Sequence, residues 1–354
     1  MSTTFLYPTM SLSKAPGSAI TIHDIAAEAG VSKSTVSLVL KKSPLIKPET
    51  AAKVWKAAEK LGYVYNRMAA NLRQKSSNVV GVIVNDLTNP FFVELLIGIE
   101  RVLLQSGYIT LMAHTAESAQ VQEKVIASFR EQNAAGILMC PAFGTSVETI
   151  DRLREMHLPF VIMVRQLGDL NYDYVGAANV DGTRMATEHL LRLGHTRIGF
   201  IGRSQNSLVG LQRQSGYEEA LKQAGISLNP AWVVDSPVSM QGGQDGAKIL
   251  LDMENGPTAV VCYNDLVAMG VLNELDYRGL RAGKDMAVIG FDDIATAKHT
   301  NPPLTTLAIN PEQQGEIASR MLLNQLRDHP ATHNHYFSQP KLMVRESSGG
   351  MLTR

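Results

Sequence analysis

The sequence predicts an all-α helix-turn-helix head joined by a short linker to an α/β body of two doubly wound subdomains. Three observations carry that reading. Residues 20–62 form short amphipathic helical patterns broken by a glycine turn. Residues 63–78 are polar and basic and lack any core pattern. From Val79 onward, Val- and Ile-rich runs of strand length alternate with helical stretches, over about twice the span of one doubly wound unit.

The expected organisation is a tail at 1–19, a helix-turn-helix domain at 20–64, a linker at 65–78 and a body at 79–348. The body divides into a first subdomain at 79–176 with 309–336 and a second at 177–308 with 337–348. In the head, Thr21 precedes a first helix, where its hydroxyl can satisfy free backbone N–H groups. Ile22, Ile25, Ala26 and Ala29 share one face of that helix. Gly30 permits a tight turn, and Ser32 caps a second helix from Lys33 to Leu40. Val31, Val36, Val39 and Leu40 pack the pair. Lys33, Ser34, Thr35, Ser37 and Leu38 are left exposed where the second helix of such a motif enters the major groove. Pro48 opens a third helix with Val54, Ala57, Ala58 and Leu61 as its buried stripe.

In the body, the expected strands are 79–84, 110–114, 135–140, 160–164, 197–202, 259–263 and 286–291. Amphipathic helices lie between them, several ending at glycines such as Gly107, Gly194, Gly225 and Gly279. Ligands of such folds bind beyond the carboxyl ends of the strands.

Charge separates the two parts. The formal net charge is zero, yet residues 1–78 hold eleven Lys or Arg against four Asp or Glu. A basic head on an acidic body is the pattern expected when only the head meets phosphate. The two cysteines, Cys140 and Cys262, sit in apolar runs and read as buried thiols; neither a metal nor a cofactor is expected. No run reaches the length of about 20 apolar residues that crosses a bilayer. The first nineteen residues lack the apolar core of a secretory signal and read as a disordered tail, with Met10 a second candidate start; the expected location is the cytoplasm.

The run TIHDIAAEAGVSKSTVS at 21–37, followed by Tyr63, Asn66, Arg67 and Leu72, resembles the lactose/galactose repressor (LacI/GalR) family. DLTNPFF at 86–92, NVDGTR at 179–184, GHTRIGFIG at 194–202 and RQSGY at 213–217 extend the resemblance. CYND at 262–265, GFDD at 290–293 and PPLTT at 302–306 carry it to roughly residue 348. STVSLVL and AVVCYN look most like the maltose-regulon repressors. The resemblance implies a periplasmic-binding-protein-like body and a homodimeric transcriptional repressor on a pseudopalindromic operator, controlled by a small-molecule effector, a sugar. It further implies that Lys33, Ser34 and Leu38 face bases, that Ser32, Thr35, Ser37 and Asn66 contact the DNA backbone, and that Arg67 belongs to the same DNA-facing set. Residues 66–74 would form a hinge helix whose Leu72 wedges into the minor groove. Many family members carry Arg where this chain has Leu38, so the operator should differ at the base pair Leu38 meets.

The same resemblance implies an effector site of Arg213, Asn264 and Asp292, with Asn89 and Phe91 on the opposite wall and Arg165 at the end of the 160–164 strand. Planar polar side chains and an aromatic ring suit a sugar. Other readings of these residues stay open: Arg213 and Asp292 as a plain ion pair, Phe91 as a core residue, and a purine or phosphosugar effector with Arg165 or Arg203 as phosphate ligands. Activation of some promoters, a free sugar-binding protein and a sugar-processing enzyme are the remaining alternatives. The sequence carries no recognised catalytic motif, and Asp292 and Asp293, if extended, cannot both face one cleft. His333 and His335 read as a surface pair in a polar stretch.

Overall fold

A computed structural model describes residues 20–40, 43–63, 77–203, 207–328 and 332–349. The chain forms two compact units that part between Lys75 and Ser76. Asn66, Arg67 and Leu72 lie outside the described residues.

The first unit has three helices, α1 (Ile22–Ala29), α2 (Lys33–Leu40) and α3 (Pro48–Lys60). Gly30 adopts φ 64°, a left-handed conformation that a residue with a Cβ enters at a cost, and this reverses the chain between α1 and α2. Thr21 caps α1 as expected, within a reciprocal capping box with Asp24. The Thr21 amide and hydroxyl both donate to the Asp24 carboxylate, at 2.7 and 2.8 Å, so the acid three residues on reaches back. Ser32 caps α2, accepting from the Thr35 amide at 3.1 Å. Ile25, Val36, Val39, Leu40, Val54, Ala57 and Ala58 form the core, with Ile22, Ala26, Ala29, Val31 and Leu61 packed around it. Burying a Val, Ile or Leu side chain contributes about 1.5–3 kcal/mol, so the aliphatic members hold the three helices together. Lys60 adds a surface ion pair to Glu28 at 2.6 Å, tying α3 to α1.

The second unit begins with β1 (Val79–Val84), α4 (Pro90–Gln105), β2 (Ile109–His114), α5 (Ala119–Glu131) and β3 (Gly136–Met139). It continues with α6 (Glu148–Glu155), β4 (Phe160–Met163), β5 (Tyr174–Ala177), α7 (Asn179–Arg192), β6 (Ile198–Arg203) and α8 (Leu208–Gln223). Then follow β7 (Val233–Asp235), α9 (Met240–Leu251), β8 (Ala259–Cys262), α10 (Asp265–Tyr277), β9 (Ala287–Ile289) and β10 (Thr306–Ala308). It closes with α11 (Pro311–Asp328), β11 (His335–Ser338) and β12 (Lys341–Met343).

Two parallel sheets result. One has the order β11-β5-β4-β3-β1-β2 and the other β7-β6-β8-β9, while β10 and β12 make an antiparallel pair. β1, β3 and β4 are almost fully buried, which explains their unbroken apolar sequences. The chain leaves the first sheet after β5, returns through α11 and β11, and crosses again to β12. α4 and α11 cross where Gly98 faces the Glu312 backbone and Gly315 faces that of Leu95; a Cβ at either glycine would collide with main chain.

Candidate functional site

The carboxyl ends of the strands in both sheets open into one cavity of about 470 Å³. Its lining includes Asn89, Phe91, Arg165, Arg213, Asn264 and Asp292, so the six body residues expected to bind an effector are brought together. Residues that follow strand ends or open helices supply this wall, because there the backbone leaves the sheet and side chains can converge.

Asn89 precedes α4, and its Oδ1 accepts from the Phe91 amide at 3.0 Å. Asn264 does the same for α10, accepting from the Val267 amide at 3.0 Å. Capping fixes the plane of each amide at the cavity edge. Phe91 is buried and meets the Phe92 ring edge-on with centroids 5.2 Å apart, so its ring is held rather than free to swing.

Arg213, near the start of α8, is buried among fixed partners. Its Nε donates to Asn179 Oδ1 at 3.0 Å and one terminal nitrogen donates to the Tyr263 carbonyl at 2.5 Å. The other donates to Asp292 Oδ1 at 3.4 Å. The guanidinium lies flat over Phe291, 3.7 Å from the ring centre. Burial pushes the Asp292 carboxyl up to about 7, against the opposing pull of Arg213. The contact is long for a tight ion pair, and both side chains line the cavity as well as touching each other.

Asp292 and Asp293 do point apart, but not for the reason an extended strand would give. Both take positive φ, 117° and 56°. This turn aims Asp292 at the cavity and leaves Asp293 to pair with Arg345 at 2.8 Å.

Arg165 is held differently. It forms a two-pronged pair with Glu117, at 2.7 and 2.8 Å, donates to the Pro141 carbonyl at 3.1 Å, and stacks 3.8 Å over Phe143. Glu117 also accepts from the Phe143 amide at 3.0 Å. Ala116 and Glu117 are both left-handed, at φ 48° and 60°, and this uncommon backbone puts the Glu117 carboxylate where Arg165 needs it. Sequence reasoning missed Asn85, Glu117 and Phe143 in the lining, and Asn179 and Phe291 around Arg213. Asn179 and Phe291 stand inside recognised motifs, whereas no sequence signal marks a left-handed Glu117. The side chain of Arg203 lies outside the described part of the chain.

On the head, Ser32, Lys33, Ser34 and Leu38 are exposed, and Thr35 and Ser37 are half-buried. The hydroxyls of Ser32, Ser34 and Thr35 form a cluster at the start of α2, with Ser32 Oγ 2.7 Å from Ser34 Oγ and 2.8 Å from Thr35 Oγ1. They sit at the positive end of a helix, where a phosphate oxygen is welcome. His333 and His335 are both exposed; His335 begins β11, and the ring of His333 is 3.9 Å from Asp173.

Residues 21–66 match the model of bacterial regulatory proteins of the lacI family, and residues 187–348 match a periplasmic binding protein-like domain. The ribose operon repressor of Haemophilus influenzae is 32% identical over 328 residues, covering 92% of this chain and 98% of that protein. The chain belongs to the lacI family. As a lacI-family protein it is a DNA-binding transcriptional repressor with an effector-binding body. The repressor PurR of Vibrio vulnificus is similar to this lacI-family chain at 31% identity over 333 residues, with 92% and 98% coverage. Among solved structures, the transcriptional regulator CelR in complex with cellobiose superposes with a TM-score of 0.71 at 29% identity, covering 93% of this chain and 99% of that one. The lacI-family members are regulators rather than enzymes. No described helix is long and apolar enough to cross a membrane.

Proposed function

We propose that the chain binds a pseudopalindromic operator as a homodimer in the cytoplasm, and that a neutral sugar in the body cavity sets its affinity for DNA. The observation that carries the sugar reading is the charge arrangement of the cavity. Its two guanidiniums, Arg165 and Arg213, each face a carboxylate, Glu117 and Asp292, and Asp86 adds a third acid to the lining. A phosphosugar would meet more acid than base there. A polyol instead finds carboxylates and amides that take its hydroxyl protons, guanidinium N–H groups that donate to its oxygens, and the rings of Phe91, Phe143 and Tyr263 for its apolar face. Cellobiose in the CelR structure and the name of the ribose operon repressor support the same class.

The cavity is accordingly a binding site for the effector and not a place of turnover. In this reading Asn89, Phe91, Arg165, Arg213, Asn264 and Asp292 contact the effector. Ser32, Lys33, Ser34, Thr35, Ser37 and Leu38 contact DNA, together with Asn66, Arg67 and Leu72 of the 65–78 linker. In this reading the two sheets are the cores of two subdomains, and an effector that prefers one angle between them shifts the population able to place both heads. A second reading, a flat nitrogenous base as effector, is favoured by the same three rings.

The test is an operator gel shift with and without ribose, cellobiose, their phosphates and purine bases. Release or tightening by an unphosphorylated sugar alone supports the proposal. A response to a purine or to a phosphosugar alone overturns the sugar assignment, and no operator binding at all overturns the repressor mechanism.

A further inference from the structure

Asn85 follows the last residue of β1 and is fully buried, yet it lines the body cavity. Its Nδ2 donates to the Pro141 carbonyl oxygen at 3.0 Å and to Cys140 Sγ at 3.1 Å. A main-chain carbonyl oxygen can only accept, so the amide nitrogen must be the atom that faces it. That fixes the other end of the amide. Oδ1 is buried, and no described residue donates to it.

Buried polar atoms in native proteins are nearly always paired, and an orphan in the wall of a ligand cavity calls for a partner on the ligand. The orientation is not adjustable: flipping the amide would put two oxygens against each other at Pro141. Cys140 adds no competing donor of consequence, since a thiol donates weakly and its sulfur contacts Nδ2 rather than Oδ1.

We propose that Asn85 is a specificity-determining residue of the effector cavity, its Oδ1 accepting a hydrogen bond from one hydroxyl of a neutral polyol. This rests on the sugar reading above and adds a polarity to it. The Asn85 side of the cavity, with the Asp86 carboxylate beside it, is acceptor-rich, whereas the Arg213 side donates. An ether oxygen, a carboxylate or a phosphate oxygen set against Asn85 Oδ1 is repelled. A hydroxyl, which turns its proton toward whichever neighbour accepts, is not.

The experiment is isothermal titration of the full chain with D-ribose, D-glucose and cellobiose, then with the monodeoxy and deoxyfluoro analogues of whichever sugar binds. The expected result is one hydroxyl position at which both the deoxy and the fluoro analogue bind at least tenfold more weakly, because fluorine cannot donate. Asn85→Leu should weaken the parent sugar by tenfold or more and erase the difference between parent and deoxy analogue at that position alone. Asn85→Ala, which removes both ends of the amide without adding bulk, should do the same if the leucine variant fails to fold. Parent affinity unchanged in a folded variant, or a deoxy penalty of the same size at every position in variant and wild type, overturns the role of Asn85 while leaving the sugar reading intact. No binding of any of the three sugars overturns the sugar reading and the Asn85 proposal together.

Discussion

Arg213 and Asp292 meet at 3.4 Å across the floor of the body cavity, the guanidinium clamped from behind by Asn179, the Tyr263 carbonyl and the face of Phe291. The cation has more fixed partners than the acid has, so Arg213 is the rigid member and Asp292 the responsive one. Replacing Arg213 by Met removes the donors and leaves Asp292 without its cation. Effector response should fall by at least about thirtyfold, equivalent to about 2 kcal/mol for a lost charged hydrogen bond. Operator affinity without effector should stay within a few-fold, as measured by gel shift across an effector titration.

Asp292 ties stability to pH. Burial raises its folded pKa to about 7, above the unfolded value of about 3.9. Its contribution to stability is therefore fully present below about pH 4 and is lost as pH rises through about 7. Urea midpoints measured from pH 5 to pH 8 should decline more steeply for wild type than for Asp292→Asn. Parallel slopes would show that this carboxyl ionises in the folded protein as it does in the unfolded chain.

Leu38 is exposed on α2 and offers only apolar contact. Leu38→Arg should shift operator preference toward guanine at the base pair it meets, by about 1–3 kcal/mol of discrimination, with little change at other positions. Selection from a randomised operator library, sequenced for both proteins, reads this directly. An identical base preference for the two proteins would place Leu38 outside the groove.

The crossing of α4 and α11 tolerates no added bulk. Gly98→Val forces its side chain into the Glu312 main chain, which cannot retreat as a flexible side chain would. A destabilisation of about 1–3 kcal/mol follows, visible as a lowered melting temperature. Gly30→Ala, in the head, has open space around it and costs only its left-handed backbone, about 1–2 kcal/mol, without altering effector binding.

Much of this architecture was legible in the residues. The helix-turn-helix follows from Gly30, Ser32 and the apolar spacing of α1 to α3, and the buried strands from their unbroken Val and Ile runs. β5, β7 and β10 were not foreseen, and only one strand, without bounds, was expected where β11 and β12 stand, because each is three or four residues long and several mix exposed with buried positions. α5, α9 and α11 also escaped, the last two interrupted by glycines that look like breaks in sequence but allow close packing in space. In the cavity, the five motif-borne residues Asn89, Phe91, Arg213, Asn264 and Asp292 could be named in advance, and Arg165 from its place at a strand end. Glu117 could not, since its place depends on two consecutive non-glycine residues in the left-handed region, and Asn85 shows its interest only through an oxygen to which no described residue donates.

The return of the chain through α11 and β11 has a consequence for how the protein is made. β11 completes the edge of the first sheet beside β5, a strand more than 150 residues earlier in the chain. On the ribosome, the head finishes emerging after its first few dozen residues and can fold at once, whereas the first sheet waits for nearly the last of the body to be synthesised. For most of its synthesis, the nascent polypeptide thus carries a finished reading head on an unfinished body.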